Sequence, residues 1–384
     1  MVQELPEKYQ KLAVTFTQEL VRRDSSNPPG NELETAEYAV QALKAYGIAA
    51  ALDEFEPGRC NVTATYGGCR DTGILFLGHM DVVPAKGCWT HGKFDPQIVD
   101  GRMYGRGTAD MKGGIGAMMA ALAATVQLGV PLGKNVQLLL DSDEENTNKG
   151  INRACATYKI QADCAIVGEP SDMQLLLGNK GYASFYVRTQ GVSCHASEPA
   201  HGKNAIYAMA KAIQKLEAYA DGLSAYADPY LGSATLSVGT IQGGVRVNIV
   251  PDACVCEVER RALPGETLDS ICRELQHTLG DLAEVSPRNQ FTPASLLPRD
   301  HAFTRRTEAL LADVLQKEPA LGVFHGGTEA AYVSQFGIPT LIVGPGSLEQ
   351  AHRVDEYAPV EQIKQCADLY FRLMQSVCCP GAAQ

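Results

Sequence analysis

Short apolar runs alternate along the chain with longer segments in which apolar residues recur at helical spacing. The runs predict buried strands at 61–66, 73–78, 135–141 and 163–168. The helical spacing predicts helices at 6–23, from Asn31 to about Gly47, and at 111–129. Asn31 and Glu34 have the spacing of a capping box. Strands that are apolar on both faces and alternate with helices are typical of a mostly parallel sheet covered by helices on both sides.

The pattern changes after about Gly178. Strands with one polar face are predicted at 182–189, 234–241 and 254–260, separated by amphipathic helices near 203–219 and 268–279. The first pattern resumes near Asp300, with strands at 321–324 and 339–343, a helix after Thr328 and a last helix from about Val360. We therefore expect an α/β domain formed by 1–178 and 292–384, interrupted by an inserted α+β domain at 179–291.

Composition excludes several classes of protein. The 384 residues carry a net charge of -11, and no basic stripe of the kind that binds nucleic acid is visible. No apolar stretch reaches the ~18 residues of a membrane helix, and charges interrupt the N-terminal segment, which argues against a secretory signal. The twelve cysteines include no CxxC pair, so free thiols in a reducing compartment are expected. These features predict a cytoplasmic protein.

The first candidate functional residues lie where the predicted strand at 73–78 ends. His79 and Asp81 follow it, and residues two apart in an extended chain point to the same side. A metal-ligating imidazole with a carboxylate that fixes its tautomer would fit this spacing. A hydrogen-bonded histidine without a functional role fits the same dipeptide equally well.

Three further acidic segments occupy comparable places. Asp110 lies in the glycine-rich run YGRGTADMKGG before a predicted helix, and a phosphate-binding reading of that run lacks the usual glycine motifs. Glu144 and Glu145 end the run DSDEE after a buried strand, where a solvated acidic turn is the ordinary alternative. Glu169 follows the next buried strand. Open α/β sheets bind ligands outside the carboxyl ends of their strands.

A second histidine, His352, follows an apolar strand and the turn GPGS. Two histidines and several carboxylates are thus predicted to meet at one sheet edge. Unit charges ~4 Å apart repel by about 4 kcal/mol at an effective dielectric constant near 20, so such a cluster requires cations. Imidazole with carboxylate ligands suits Zn²⁺ or Co²⁺ better than Mg²⁺ or Ca²⁺.

The segments GHMDVVP, GRGTADMKGG, DEE, GEPS and HRVDEY, in this order, resemble the M20 family of two-zinc amidohydrolases and peptidases. Within it, TEA, LIVGPGS and RALPG are most similar to the acetylornithine deacetylase and succinyl-diaminopimelate desuccinylase branch. The resemblance implies a catalytic α/β domain with an inserted lid that makes a homodimer. It also implies two divalent metal ions, zinc or else cobalt.

Carried over by motif, the resemblance assigns one metal to His79, Asp110 and Glu169, and a second to Asp110, Glu145 and His352. Glu144 would be the general base, and Asp81 the partner of His79. In the inserted domain, His195 would polarise the scissile carbonyl. Positions that bind the substrate's carboxylate or oxyanion would be Asn248, Arg261, Gly327 and Thr328. Ala196 stands where the lid motif often has serine.

The expected reaction is hydrolysis of the amide bond of an N-acyl amino acid that has a free carboxylate. A dipeptidase or carboxypeptidase with the same metals is the alternative. A catalytically silent metal-binding protein is a further reading, although it would need no base at Glu144. A serine hydrolase is not supported, because no GxSxG motif occurs.

Overall fold

The computed structural model describes residues 2–379 and 381, and the chain divides into two compact units. The first unit is formed by Met1–Gly178, Leu297–Phe324 and Thr328–Gln384. The second is formed by Asn179–Leu296 together with His325–Gly327. The candidate metal ligands all lie in the first unit.

From residue 2 to the end of β8, the chain forms four helices and eight strands. The helices are α1 (Glu7–Val21), α2 (Leu33–Ala45), α3 (Lys112–Gln127) and α4 (Lys149–Thr157). The strands are β1 (Ala49–Glu56), β2 (Arg59–Tyr66), β3 (Thr72–His79), β4 (Gln97–Val99), β5 (Arg102–Tyr104), β6 (Asn135–Asp141), β7 (Cys164–Val167) and β8 (Leu175–Asn179).

The remaining elements belong first to the second unit and then again to the first. The second unit contains β9 (Gly181–Gln190), α5 (Ala205–Gly222), β10 (Ala227–Asp228), β11 (Gly232–Ser233), β12 (Thr235–Gly243), β13 (Ala253–Ala262), α6 (Leu268–Leu279), β14 (Glu284–Pro287) and β15 (Ser295–Leu296). The first unit resumes with α7 (Ala302–Leu315), β16 (Leu321–Phe324), α8 (Ala330–Val333), β17 (Thr340–Ile342), β18 (Tyr357–Pro359) and α9 (Val360–Cys378).

The central sheet of the first unit has the strand order β1-β2-β6-β3-β7-β17-β8, and β16 pairs with β8. The neighbours β6, β3, β7 and β17 are parallel, whereas β1, β2 and β8 join antiparallel. This confirms the predicted α/β class with a mostly parallel sheet. The parallel order places the C-terminal ends of β6, β3 and β7 side by side.

Helices cover both faces of this sheet because its strands are apolar on both sides. In β3, Leu75 and Leu77 belong to the core that α4 and α8 complete. On the opposite face, Phe76 meets Tyr370 of α9 with ring centroids 5.2 Å apart. The glycines of α3 allow close packing there, since a Cβ on Gly116 would lie 2.3 Å from the hydroxyl oxygen of Thr17 in α1.

The structure corrects two local predictions. The capping box at Asn31 is wrong: α2 begins at Leu33 after Glu32, and no side chain caps it. The reason is tertiary, because the N–H of Glu32 donates to the carbonyl of Gly58 and the Glu32 carboxylate turns towards Arg59. The edge strand β1 was not predicted, since its sequence AAALDEFE lacks the β-branched residues typical of strands.

The second unit is an α+β sandwich. Its antiparallel sheet has the order β12-β13-β9-β14, and β13 alternates buried and half-exposed side chains. The buried face packs against α5 and α6 through an apolar core that includes Phe185, Val258, Met209, Leu216 and Leu275. The one polar face predicted for these strands is confirmed for β13, whereas in β12 no side chain is buried.

Two further expectations can be compared with the structure. Each of the twelve cysteines lies within the described residues, and each is a free thiol there. Across residues 2–379 and 381, no helix is long and apolar enough to cross a membrane.

Candidate metal centre

His79 is the last residue of β3, and only 1% of it is exposed. Its Nδ1–H donates to the backbone carbonyl of Asp81 at 3.0 Å, which leaves Nε2 free to face Asp110. The Asp81 carboxylate was expected to fix the imidazole, but its nearer oxygen lies 3.7 Å from Nδ1. In the structure, the acceptor for Nδ1 is thus the backbone carbonyl of Asp81 instead of its carboxylate.

Asp110 lies between the two histidines. It ends the glycine-rich turn before α3, and its side chain is 9% exposed. One carboxylate oxygen, Oδ1, is 3.1 Å from Nε2 of His79, and the other, Oδ2, is 3.4 Å from Nε2 of His352. A carboxylate with one oxygen directed at each imidazole is placed to bridge two cations.

A glutamate accompanies each histidine. Glu145, after β6, has Oε2 3.0 Å from Nε2 of His352, and Glu169, after β7, has Oε1 3.9 Å from Nε2 of His79. Ligand atoms of His79, Asp110 and Glu145 all lie within 4.8 Å of one another. The structure therefore brings together the five side chains predicted as metal ligands.

His352 approaches from the connection between β17 and β18. Its φ of 65° is in the left-handed region, and 54% of its side chain is exposed. The other imidazole is buried, so the pair forms a centre with one enclosed side and one side open to solvent.

The titration behaviour of these groups reflects a surplus of buried negative charge. Burial, together with neighbouring carboxylates, raises the pKa of Glu144 and of Glu169 well above the usual range. Hydrogen bonds to Asp110 and Glu145 raise the pKa of His352 to about 10. The same histidines outweigh burial at Asp110 and lower its pKa. Two imidazoles and three carboxylates at these distances fit a pair of divalent cations of the zinc or cobalt type.

Glu144 lies beside this donor set and is half-buried. Its backbone N–H donates to Oδ1 of Asp81, and the N–H of Glu145 donates to Oδ2, both at 3.2 Å. Asp81 therefore holds the loop that carries both glutamates. On that loop, Glu145 faces His352, with Oε2 3.0 Å from Nε2.

Behind Asp81 lies a buried network that was not predicted from the sequence. Asn27 donates from Nδ2 to Asp81 and to Asp143, each at 2.8 Å. Arg59 donates to Asp143 at 2.6 Å and to the side-chain oxygen of Asn27 at 2.9 Å. These residues fix the acidic loop from its buried side. The one sequence signal was an arginine at the start of a mostly buried strand.

A second group missed from the sequence is a buried carboxyl pair. Asp141 and Glu329 are both fully buried, and charge repulsion from Glu329 adds to burial in raising the pKa of Asp141. Glu329 also raises the pKa of Glu144 and Glu169, so it belongs to the electrostatic surroundings of the centre. The sequence signal for Glu329 was its position beside Thr328 in the motif TEA.

The other predicted site residues of the second unit are exposed or engaged locally. His195 is exposed, with Nδ1 2.7 Å from the hydroxyl of Ser197, and its strand segment pairs with Ile249. The N–H of Ala196 donates to the carbonyl of Asn248, so His195 and Asn248 lie on paired segments.

Arg261, Gly327 and Thr328 have different surroundings. The guanidinium of Arg261 donates to Glu259 at 2.7 Å and lies 4.9 Å from the centre of the Tyr182 ring. Gly327 belongs to the second unit, where a Cβ on it would meet Thr292 at 3.7 Å. Thr328 belongs to the first unit and is fully buried, and its hydroxyl donates to Glu329 at 3.2 Å.

Comparison with known proteins shows which family the sequence matches. The profile of peptidase family M20/M25/M40 matches residues 75–376. An acetylornithine deacetylase from Salmonella arizonae is 35% identical over 319 residues, which cover 80% of each chain. Aminopeptidase PepT from Bacillus cereus superposes with a TM-score of 0.78 at 23% identity, over 96% of this chain and 98% of the other. A dinuclear metal binding peptidase of the M20 family from Bacillus subtilis superposes with a TM-score of 0.70 at 15% identity, over 96% and 98%.

Proposed function

The chain belongs to peptidase family M20/M25/M40, and from this premise we propose that it hydrolyses the amide bond of N-acyl amino acids with two divalent cations. The observation that carries the proposal is the Asp110 carboxylate, with one oxygen 3.1 Å from His79 and the other 3.4 Å from His352. The deacylase reaction is favoured over peptide hydrolysis by the 35% identity to an acetylornithine deacetylase.

The first cation would be held by His79, Asp110 and Glu169, and the second by Asp110, Glu145 and His352. Zinc is the proposed metal, with cobalt as a substitute, because both accept imidazole and carboxylate ligands. When bound, such ions lower the pKa of a coordinated water and polarise a carbonyl group. The dinuclear site of the Bacillus subtilis relative is consistent with two ions here.

Glu144 is proposed as the general base. It takes a proton from the attacking water as the new C–O bond forms, and it returns that proton to the amine nitrogen as the C–N bond breaks. The products are a carboxylate and a free amino acid.

In the second unit, we propose that His195 polarises the carbonyl of the scissile amide, as the family resemblance implies. Contacts of the substrate with Asn248, Arg261, Gly327 and Thr328 stay predictions. For Arg261, the contact with Glu259 uses Nε, and the terminal nitrogens of the guanidinium would be the donors to a substrate carboxylate.

A homodimer through the second unit is also proposed. The strand β12 is an edge of its sheet, and Ile241 on it is 52% exposed. Beyond the strand, Val245 and Val247 are 84% and 100% exposed. A cluster of exposed apolar side chains at a sheet edge is typical of an interface. The cytoplasmic location stays a prediction.

A substrate panel tests the reaction. N-acetyl, N-succinyl and N-carbamoyl amino acids and a set of dipeptides are compared on protein reconstituted with zinc or cobalt. Turnover of N-acyl amino acids with little dipeptide cleavage is the expected result. Preferential cleavage of dipeptides would establish the peptidase alternative instead.

Substitution of Glu144 by Gln tests the mechanism. We expect kcat to fall about 10²- to 10⁴-fold, the usual contribution of a general base, while both metals remain bound. Metal content and the visible spectrum of the cobalt form provide the control. Near-normal turnover by the variant would exclude Glu144 as the base.

A further inference from the structure

Glu356 is a fully buried carboxylate four residues after His352, and it has no place in the proposed ligand set. Its Oε1 accepts three backbone N–H groups from the glycine-rich turn. The donors are Gly107 at 3.1 Å, Ala109 at 2.9 Å and Asp110 at 3.1 Å. One side-chain oxygen therefore accepts hydrogen bonds from three peptide groups of the turn that ends at Asp110.

The other oxygen of Glu356 is held by a buried cation. Oε2 accepts from Nη1 of Arg106, a side chain that is 2% exposed and whose guanidinium lies 5.2 Å from the centre of the Trp89 ring. The carboxylate cannot swing away from the turn without separating this pair in a buried environment.

The backbone of the same segment joins the two loops as well. The N–H of Gly105 donates to the carbonyl of Glu356 at 3.0 Å, and β18 pairs with β5 directly after it. Hydrogen bonds of Glu356 thus connect the loop that carries His352 to the turn that carries Asp110.

The turn needs such an acceptor because it is not part of a helix or strand. Gly105 and Gly107 have positive φ values of 147° and 90°, so the peptide groups around them lack regular partners. A buried N–H without an acceptor is costly, and three of them point to one place. A carboxylate of the right length satisfies all three.

From these contacts, we propose that Glu356 is a positioning residue that sets the separation of Asp110 and His352. It thereby sets the geometry of the cation site shared by Asp110, Glu145 and His352. This inference rests on the proposed function, because it presumes that these side chains bind a metal. This role depends on the length of the Glu356 side chain, which must reach the turn, more than on its charge.

Two substitutions separate reach from charge. Glu356→Asp keeps the charge but withdraws the oxygens by one methylene, whereas Glu356→Gln keeps an oxygen at full length. We expect Glu356→Asp to weaken binding of one of two Co²⁺ ions about 10- to 100-fold, the range typical of residues that orient metal ligands. Glu356→Gln turns an amide –NH2 group towards Arg106 and is expected to lower the melting temperature, but its Co²⁺ affinity should stay within a few-fold of that of the unchanged protein. The visible spectrum of the cobalt form should change in the Asp variant alone.

A matched control distinguishes positioning from general loss of stability. Asp368 in α9 is a buried carboxylate that accepts the N–H of Leu5 at 2.7 Å and pairs with Arg372 at 3.0 Å. Asp368→Ala removes a comparable set of contacts from a place outside the donor set. It should lower the melting temperature but leave cobalt affinity and spectrum unchanged.

The measurements are titration calorimetry with Co²⁺ on the chelator-treated full chain, the cobalt spectrum, and kcat with KM. Failure of the unchanged protein to bind Co²⁺ would overturn the proposed function itself. If that protein binds two ions, unaltered affinity in Glu356→Asp would overturn only the role of Glu356. An equal loss of Co²⁺ affinity in Asp368→Ala would also overturn the role of Glu356. So would a larger loss of Co²⁺ affinity in Glu356→Gln than in Glu356→Asp.

Discussion

Glu32 provides a quantitative test of the buried network behind the candidate centre. It is fully buried, its Oε1 is 3.3 Å from Nη1 of Arg59, and its Oε2 has no hydrogen-bond partner within the described residues. Burial, assisted by repulsion from Asp81, raises its pKa from 4.5 to about 7 despite the nearby arginine. The folded protein therefore favours the neutral carboxyl.

The sign of the pH dependence follows from this direction. A folded-state pKa above the unfolded value contributes stability that is fully present below pH ~4.5 and is lost as the pH rises through about 7. Between pH 5 and pH 8, a shift of this size corresponds to a loss of about 2.5 kcal/mol. Glu32→Gln removes the ionisation but keeps an oxygen for Arg59. Its gain in unfolding free energy should therefore be about 2.5 kcal/mol larger at pH 8 than at pH 5.

Urea denaturation of chelator-treated protein at both pH values measures this difference. Glu34→Gln, at an exposed position in the first turn of α2, is the matched control and should show no pH-dependent gain. The reasoning is refuted if Glu32→Gln changes stability equally at pH 5 and pH 8, or if it destabilises the protein more at pH 8.

Three other changes have defined outcomes. Gly114→Ala should lower the free energy of unfolding by about 1–3 kcal/mol, because its Cβ would lie 2.3 Å from the carbonyl oxygen of Gly168. Gly222→Ala has open space around the new Cβ and should leave stability unchanged. Equal melting temperatures of the two variants would contradict this. Arg59→Met should lower the free energy of unfolding in urea by about 3–5 kcal/mol, since it leaves the buried Asp143 carboxylate without its cation; a stable variant would show that the network is dispensable. Val247→Asp should convert the proposed dimer to monomers in light scattering, and an unchanged mass would place the interface elsewhere.

The fold class could be predicted because it depends on patterns that extend over many residues. The apolar runs of β3, β6 and β7 and the change to one polar face after Gly178 require only local periodicity. The capping box at Asn31 failed because a tertiary contact, Glu32 with Arg59, determines where α2 begins. Local spacing does not contain such a contact.

Some residues of the candidate site could be predicted from the sequence, and others could not. His79, Glu145 and Glu169 lie at or just beyond the C-terminal ends of strands, so their meeting could be predicted from a mostly parallel sheet, and the motifs placed Asp110 and His352 with them. The functional roles of these residues stay predictions. Asn27, Arg59 and Glu356 could not be found, because their value lies in hydrogen bonds between segments that are distant in the chain.

The position of β17 has a consequence for how the protein is made. This strand inserts beside β7 in the middle of the sheet, although more than 170 residues separate the two in sequence. The loop with His352 follows it, and α9 then covers α1 and α3. A nascent chain from which β17 has not yet emerged therefore has an unfinished sheet. We expect it to expose the apolar strand edges beside β7 and β8, and to be prone to aggregation, until β17 and α9 complete the core.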